Sequence, residues 1–210
     1  MVSIQPITNR RRRPVAKASG RHSFQLDQVY CIDETGGNWI TERGEDDIYL
    51  GGVAISTTGA TKIPYFKVGG FDDRDKKTYR PSRQFTAFSQ SVPSAVILVL
   101  VEKDSGKQMQ GFLDDLVKQN QTMLVKAANQ AKKNVGAGAG ESDLESEIWA
   151  MVIKEGLKLA KDVFVSWYKS ARKDDIFEPK LVAYSRSSAV RVVRFKGHDA
   201  TYDISYHWAS

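Results

Sequence analysis

The chain has 210 residues, of which 41% are hydrophobic, and this is enough for one domain with a sizeable core. Its single cysteine, Cys31, excludes an internal disulfide and argues against thiolate zinc sites. No apolar stretch approaches the length of a membrane-spanning helix, and the formal net charge of +6 is concentrated near the N-terminus.

Residues 1–21 are predicted to form a disordered basic tail. They carry no acid, and the rest of the chain is electrically balanced, so nucleic acid is an improbable partner apart from this tail. The tail lacks the apolar segment of a secretory signal, which favours a cytoplasmic protein or one exported by a signal-independent route. The alternatives for the tail are an address for export or loading, or a contact to anionic lipid or nucleic acid. Its consecutive arginines are Arg10, Arg11, Arg12 and Arg13.

The first half of the chain is predicted to consist of strands and turns. In the first strand, 24–32, Phe24, Leu26, Tyr30 and Ile32 are expected on one face, with Val29 and Cys31 on the other. Further strands are predicted at 48–56, 62–69 and 84–89. The run 94–104 holds seven consecutive apolar residues, mostly β-branched, and is predicted to be a strand buried on both faces.

Two helices are predicted next, at 109–133 and 142–172, joined by a linker rich in glycine and alanine. Three strands, 180–185, 189–195 and 201–208, close the chain. The sequence therefore predicts an α+β fold within a single domain, 22–210. The architecture is an antiparallel β-sandwich of about eight strands, with a two-helix hairpin (108–174) inserted between strands five and six.

Acidic residues concentrate in alternate connections between the predicted strands. If neighbouring strands are antiparallel, the first, third, fifth and seventh connections lie at one end of the fold, and these four hold acids while the even ones hold none. Converging carboxylates need a counter-charge, which calcium provides through six to eight oxygen ligands. Ion pairs with Arg43, Arg74 and Lys103, or another metal, are the alternatives. The candidate ligands are Asp33, Glu34, Asp72, Asp73, Asp75, Asp104 and Asp175.

This pattern resembles the calcium-dependent lipid-binding β-sandwich known as the C-two domain, over about 24–104 and 180–208. The resemblance implies eight strands, a calcium cofactor, and ligands at Asp33, Asp73, Asp75 and Asp104. The hairpin and the absence of an Asp-x-Asp run after Val101 depart from that family. The segments Cys31-Ile32-Asp33-Glu34-Thr35 and Asp46-Asp47-Ile48-Tyr49-Leu50 also resemble a pattern in uncharacterised bacterial proteins.

The hairpin has two interpretations. As a lid on the sandwich, it buries its aromatic side chains against the sheet or the partner helix. As a membrane-active element, it unfolds from the body and contacts lipid phosphates through its lysines. The residues expected to contact a membrane or partner are Trp149, Phe164, Trp167, Lys154 and Lys158.

The sequence favours a protein that is not an enzyme, although this stays uncertain. Two Ser-x-x-Lys motifs, at 166–169 and 170–173, lack any partner motif, and His207 is predicted to be an ordinary strand residue. The first hypothesis is a calcium-binding module that engages a lipid surface or a protein partner through its acidic end. The alternatives are a bacterial effector or toxin whose hairpin acts on membranes, and a metal-dependent hydrolase.

Overall fold

The computed structural model describes residues 21–34, 46–88, 93–102, 108–135, 141–168 and 175–210. Within these ranges the chain forms nine strands, one of them only two residues long, and two helices of 28 residues each. The elements are β1 (His22–Asp33), β2 (Asp46–Ser56), β3 (Gly59–Phe71), β4 (Lys76–Phe88), β5 (Ser94–Glu102), α1 (Gln108–Val135), α2 (Glu141–Tyr168), β6 (Asp175–Ile176), β7 (Lys180–Ala183), β8 (Arg191–Gly197) and β9 (Ala200–Ala209).

The strands form two antiparallel sheets that pack face to face. The first, called sheet A, has the order β4-β1-β9-β8; the second, sheet B, has the order β3-β2-β5-β6, with β7 also paired to β5. The two helices follow β5 and form a hairpin on sheet B. The predicted α+β sandwich with a helical insertion after the fifth strand is therefore confirmed.

Strand β5 lies at the centre of this arrangement and is buried on both faces. Its residues from Ser94 to Val101 are all fully buried. Leu98 and its alternate neighbours point into the core between the two sheets, called the inner core, whereas Ile97 and Val99 point toward the helices. Such a position between two apolar layers explains why the run is continuously apolar and does not alternate with polar residues.

The inner core is rich in aromatic side chains. Phe24 of β1 stacks on Tyr206 of β9 with ring centroids 4.8 Å apart, and it meets Trp208 edge to face at 5.1 Å. His22 is also buried here, and its Nε2 lies 2.6 Å from the hydroxyl of Ser94, so one polar contact joins sheet A to sheet B. Aromatic pairs in these geometries add about 0.5–1.5 kcal/mol each beyond the area they bury.

The hairpin forms a second core, called the outer core, with the other face of sheet B. Phe112 and Leu116 of α1 and Val152 of α2 are fully buried there with Ile97 of β5. At the edge of this layer, Lys62 of β3 forms an ion pair of 2.6 Å with Asp114 of α1. The predicted lid packing thus describes the conformation of the hairpin in this structure.

Three differences from the predicted elements have physical reasons. β4 begins at Lys76, eight residues before the predicted start, because its first half is a polar edge segment without apolar alternation. β6 was not predicted, since a strand of two residues has no periodicity to detect. In β1, the predicted faces were wrong: Val29 and Cys31 lie in the inner core on the same side as Phe24 and Leu26.

Candidate functional site

The ends of the strands that carry acidic connections meet at one end of the sandwich. Asp33 closes β1 beside Thr201 at the start of β9, and Asp46 opens β2 opposite Phe71 at the end of β3. On sheet B, the last residue of β5, Glu102, pairs with Asp175 of β6. This end of the sandwich is called the acidic end, and its strand registers agree with the parity argument made from the sequence.

Hydrogen bonds join two of the acidic segments directly. The backbone N–H of Glu34 donates to Asp73 Oδ1 at 2.8 Å, and the N–H of Cys31 donates to the carbonyl of Asp75 at 2.8 Å. The N–H of Asp72 donates to Asp75 Oδ2 at 3.2 Å, which closes the turn between β3 and β4. The structure therefore brings together five of the seven predicted ligands, of which Asp33, Asp72, Asp73 and Asp75 have exposed side chains.

The acidic end has no complete metal site within the described residues. Among them, no three His, Cys, Asp or Glu side chains are placed to hold a metal ion. Asp104 and the side chain of Asp175 lie outside the described residues, so calcium stays a prediction. Of the predicted ion-pair partners, Arg43 and Lys103 lie outside the described residues, and Arg74 forms no ion pair with an acid within them. An ion pair that was not predicted joins Asp47 Oδ1 to Lys67 Nζ at 2.5 Å. No Lys or Arg in the described ranges forms an ion pair with Asp33 or Asp73.

The aromatic side chains predicted to contact a membrane or partner lie largely inside the hairpin. The indole N–H of Trp167 donates to Asp115 Oδ2 at 2.8 Å, and its ring covers the Cα of Gly111. A Cβ built on Gly111 would lie 2.8 Å from the Trp167 ring, which explains why glycine occupies that position. Trp149 and Phe164 are partly buried and pack against the outer core.

Lys154 and Lys158, in contrast, lie on an open groove between α1 and α2. The groove has a volume of about 710 Å³ and is lined by residues of the two helices alone, so it opens on the side of the hairpin away from sheet B. Its floor contains the apolar side chains of Met123, Ala127, Met151 and Leu159. Its rim carries Lys118, Lys126, Lys154, Lys158, Asp115, Glu155 and Asp162. We call this surface the outward groove.

A further lysine of the hairpin, Lys161, is held by the sandwich. Its Nζ lies 2.8 Å from Glu178 Oε1, and Lys180 reaches the other oxygen of the same carboxylate at 3.7 Å. The hydrogen bond from Lys161 is the main cause that lowers the pKa of Glu178 below its ordinary value. The charge of Lys161 is thus balanced by an ion pair, whereas the four lysines of the outward groove form no ion pair within the part of the chain that the structure describes.

A polar cluster that the sequence did not reveal lies on the outer face of sheet A. Asp27 accepts from Ser82 Oγ at 2.6 Å, and His207 Nδ1 lies 2.9 Å and 3.0 Å from its two carboxylate oxygens. The Asp27 and His207 side chains are 20% and 21% exposed. Asp27 reaches this position because β1 has a bulge there, with register shifts between Leu26 and Gln28 against both neighbouring strands.

The chemistry of this cluster is that of a hydrogen-bond network. A carboxylate only accepts, so the contact between His207 and Asp27 is a hydrogen bond in which Nδ1 of the imidazole donates. Ser82 donates to Asp27 and not to His207, so these side chains do not form the serine–base pair of hydrolases. Of the Ser-x-x-Lys motifs, Ser166 is exposed on α2, while positions 169–174 lie outside the described residues.

The sequence contained one signal of this cluster. Inward residues occur at 22, 24 and 26 and then at 29 and 31, so the period-two alternation of β1 shifts by one residue at Asp27. Such a shift of phase is the mark of a bulge, and a bulge redirects the side chain at which it occurs.

Comparison of the chain with protein-family models, with characterised proteins and with solved structures found no match. Neither of the described helices is long and apolar enough to cross a bilayer. The functional interpretation therefore rests on the geometry of the acidic end, the outward groove and the surfaces of the two sheets.

Proposed function

We propose that the protein is a non-enzymatic binding module that engages an anionic phospholipid surface through the outward face of its helical hairpin. The observation that carries the proposal is the outward groove, in which four exposed lysines surround an apolar floor. Ammonium groups near a negatively charged leaflet each contribute about 1 kcal/mol of binding free energy, and the contribution falls off within a Debye length.

The balance of charge in the groove favours an anionic partner. Four lysines face three acids, and one of these acids, Asp115, already accepts a hydrogen bond from Trp167. Four large hydrophobic side chains among the described residues of the helices are also solvent-exposed, Val125, Leu157, Val165 and Tyr168, and they lie outside the lining of the groove. A helix with both lysines and exposed apolar side chains is suited to rest in the headgroup region of a bilayer.

This mode of binding leaves the hairpin packed on sheet B. Release of the hairpin would expose side chains such as Phe112, Leu116 and Val152, which are now completely buried. Exposing each one to water costs about 1.5–3 kcal/mol, so a surface contact through four lysines alone does not open the outer core. The proposal therefore differs from the hypothesis of a toxin that inserts its hairpin.

The test is sedimentation with vesicles of phosphatidylcholine containing phosphatidylserine. The double substitution Lys154→Ala and Lys158→Ala should weaken the partition coefficient roughly 30-fold, since two contacts of about 1 kcal/mol are lost. The matched control, Lys76→Ala with Lys77→Ala, removes the same charge from exposed residues of β4 and should change binding less than threefold.

Two results would contradict the lipid proposal. One is an equal loss of binding in both double variants, which would make net charge the only determinant. The other is binding to pure phosphatidylcholine as strong as binding to the anionic vesicles.

A second candidate function is calcium binding at the acidic end, and the hydrogen bond between Glu34 and Asp73 is the observation that favours it. It holds exposed carboxylates of two separate segments close together, and hard oxygen ligands of this kind are what calcium prefers. Isothermal titration should show binding heat that disappears when Asp73→Asn and Asp104→Asn are combined. Heat that persists in the double variant would rule out these ligands.

A further inference from the structure

The two sheets present four edges to their surroundings, and these edges are protected very unequally. Sheet A ends in β4 and β8, and sheet B ends in β3 on one side and in β6 and β7 on the other. A free edge exposes a row of backbone N–H and C=O groups that can pair with another strand. Natural sheets block this with proline, short strands, charges or covering elements.

Three of the four edges are protected by proline, short strands or a covering element, whereas β8 carries charges alone. β3 contains Pro64 and is tied to α1 through Lys62 and Asp114. β4 contains Pro81, which lacks the N–H needed to donate to an added strand. The remaining edge of sheet B is divided into strands of two and four residues, with Pro179 between them.

β8 is different from these three edges. Its seven residues contain no proline, and on its far side from β9 no described strand pairs with it. Val190, just before the strand, is 61% exposed and Val192 is 58% exposed. Two exposed β-branched side chains beside an open backbone edge are suited to pairing with an extended segment.

The charges along β8 indicate what kind of segment fits. The strand carries Arg191, Arg194 and Lys196 and no acid. Arg194 is neutralised by Asp203 of β9, which accepts its Nε and Nη2 at 2.7 Å and 2.6 Å. Among the described residues, Arg191 and Lys196 form no ion pair with an acid. An added strand of like charge would be repelled by them, and an acidic one attracted.

We propose that β8 is a docking edge that adds an extended, acidic strand from a partner protein to sheet A. The backbone pairing supplies affinity. Val192 and Lys196 lie on the outer face of sheet A, opposite Ser205 and Thr201, while Arg191 lies on the other face, opposite Tyr206. A carboxylate of the partner therefore lies beside Lys196 and an apolar side chain beside Val192 on the outer face. A second carboxylate lies on the other face beside Arg191, which also donates from Nη2 to Ser185 Oγ at 2.9 Å. β8 belongs to sheet A, whereas the hairpin with the outward groove packs on sheet B, so the two surfaces lie on different sheets. The proposal is therefore independent of lipid binding.

The backbone part of the proposal is tested with synthetic peptides and the whole protein. The probe is a fluorescent nine-residue peptide of threonine with aspartate at positions 3 and 8 and valine at position 7, and its affinity is measured by anisotropy. In an antiparallel register these three residues lie opposite Lys196, Arg191 and Val192. In an added strand only alternate N–H groups face the sheet. N-methylation at one alternating set of positions should therefore abolish binding, while methylation of the other set should change affinity less than threefold. A lysine version of the peptide should bind at least tenfold more weakly.

The protein side of the test uses two exposed valines as a matched pair. Val192→Asp places a negative charge on the docking edge and should weaken the acidic peptide at least tenfold. Val125→Asp introduces the same change at an exposed valine of α1 and should leave affinity within twofold. Both variants replace solvent-exposed side chains, so we expect both to fold, and circular dichroism checks this.

Three outcomes would overturn the proposal. The first is that the acidic peptide does not bind or that both methylated peptides bind equally. The second is that the lysine version binds as well as the acidic one. The third is sedimentation of the free protein as a dimer that Val192→Asp dissociates, because β8 would then pair with a second copy of the chain.

Discussion

Sheets A and B have the same antiparallel construction but differ in what covers their outer faces. The outer face of sheet B is covered by the hairpin, so its central strand β5 is apolar on both sides. The outer face of sheet A carries no described element, and it presents polar networks such as the contacts of Asp27 with Ser82 and His207. The difference shows that the composition of a strand reports the number of apolar layers around it.

The difference between the two sheets also determines where the two proposed binding surfaces lie. Sheet B contributes to stability. Within the described residues, the helices cover its outer face, so this side of the molecule meets solvent through the hairpin. Sheet A keeps an open face and an open edge, β8. The proposed lipid contact and the proposed strand contact thus lie on different layers, and each can be removed without disturbing the other.

The largest expected effect comes from truncating side chains on each face of the two sheets. Ile97→Ala and Leu98→Ala, which point to opposite faces of sheet B, should each lower the free energy of unfolding by about 2–5 kcal/mol. In sheet A, Ile204→Ala should cost a similar amount, whereas its outward neighbour Ser205→Ala should stay within about 0.5 kcal/mol. Urea denaturation measures all four.

A nearly neutral effect of Ile97→Ala on the free energy of unfolding would contradict this prediction. That result would mean that the hairpin contributes little to the stability of sheet B. A fluorescence-detected and a circular-dichroism-detected transition that coincide in each variant would show that the two-state treatment holds.

A smaller effect is expected from the polar network on the open face of sheet A. Asp27→Asn keeps the shape of the side chain but removes the charge that accepts from Ser82 and His207. We expect a loss of about 1 kcal/mol, since each hydrogen bond to a partly exposed charge contributes modestly. Asp33→Asn, at an exposed residue, is the control and should be neutral. Equal effects of the two substitutions in thermal unfolding would show that the network contributes nothing.

The smallest expected effect concerns pH and the contact between the two sheets. Burial in the inner core lowers the pKa of His22 below its ordinary value of 6.5. The unfolded chain therefore takes up a proton at this histidine more readily than the folded one. Stability from the neutral side chain is fully present above pH 6.5 and should fall as the pH is lowered through the folded pKa.

This pH dependence is checked by measuring unfolding free energies between pH 7.5 and 5, an interval of about 2.5 pH units that includes the ordinary pKa value of 6.5. The variant His22→Phe should show a shallower slope than the native chain. A slope unchanged in His22→Phe would show that another group controls the acid response.

Much of the fold followed from local patterns in the sequence. The apolar run at 95–101 and the helical periodicity of 109–133 correctly located β5 and α1, because burial and helix amphipathicity repeat over a few residues. The gathering of acidic connections at one end followed from counting antiparallel strands. The first half of β4 was missed because an edge strand with outward polar residues has no apolar alternation.

The sites were less predictable than the fold. Lys154 and Lys158 were selected as contact residues and do border the outward groove, whereas Trp167 was selected with them and lies against Gly111 inside the hairpin. In α2 the aromatic and the basic residues occur within the same stretch of sequence, 149–167. Only the direction in which α2 meets α1 separates the two groups.

The sequence by itself determined the alternation of strands, the helical insertion and the imbalance of charge between the ends of the sandwich. Only the tertiary structure decided which side chains meet across long separations, as with Asp27 and His207, which are 180 residues apart. The physical reason is that strand faces depend on register, and the bulge at Asp27 brings Val29 and Cys31 onto the inner face with Phe24 and Leu26. Periodicity is a local property, whereas register is fixed by the neighbouring strands.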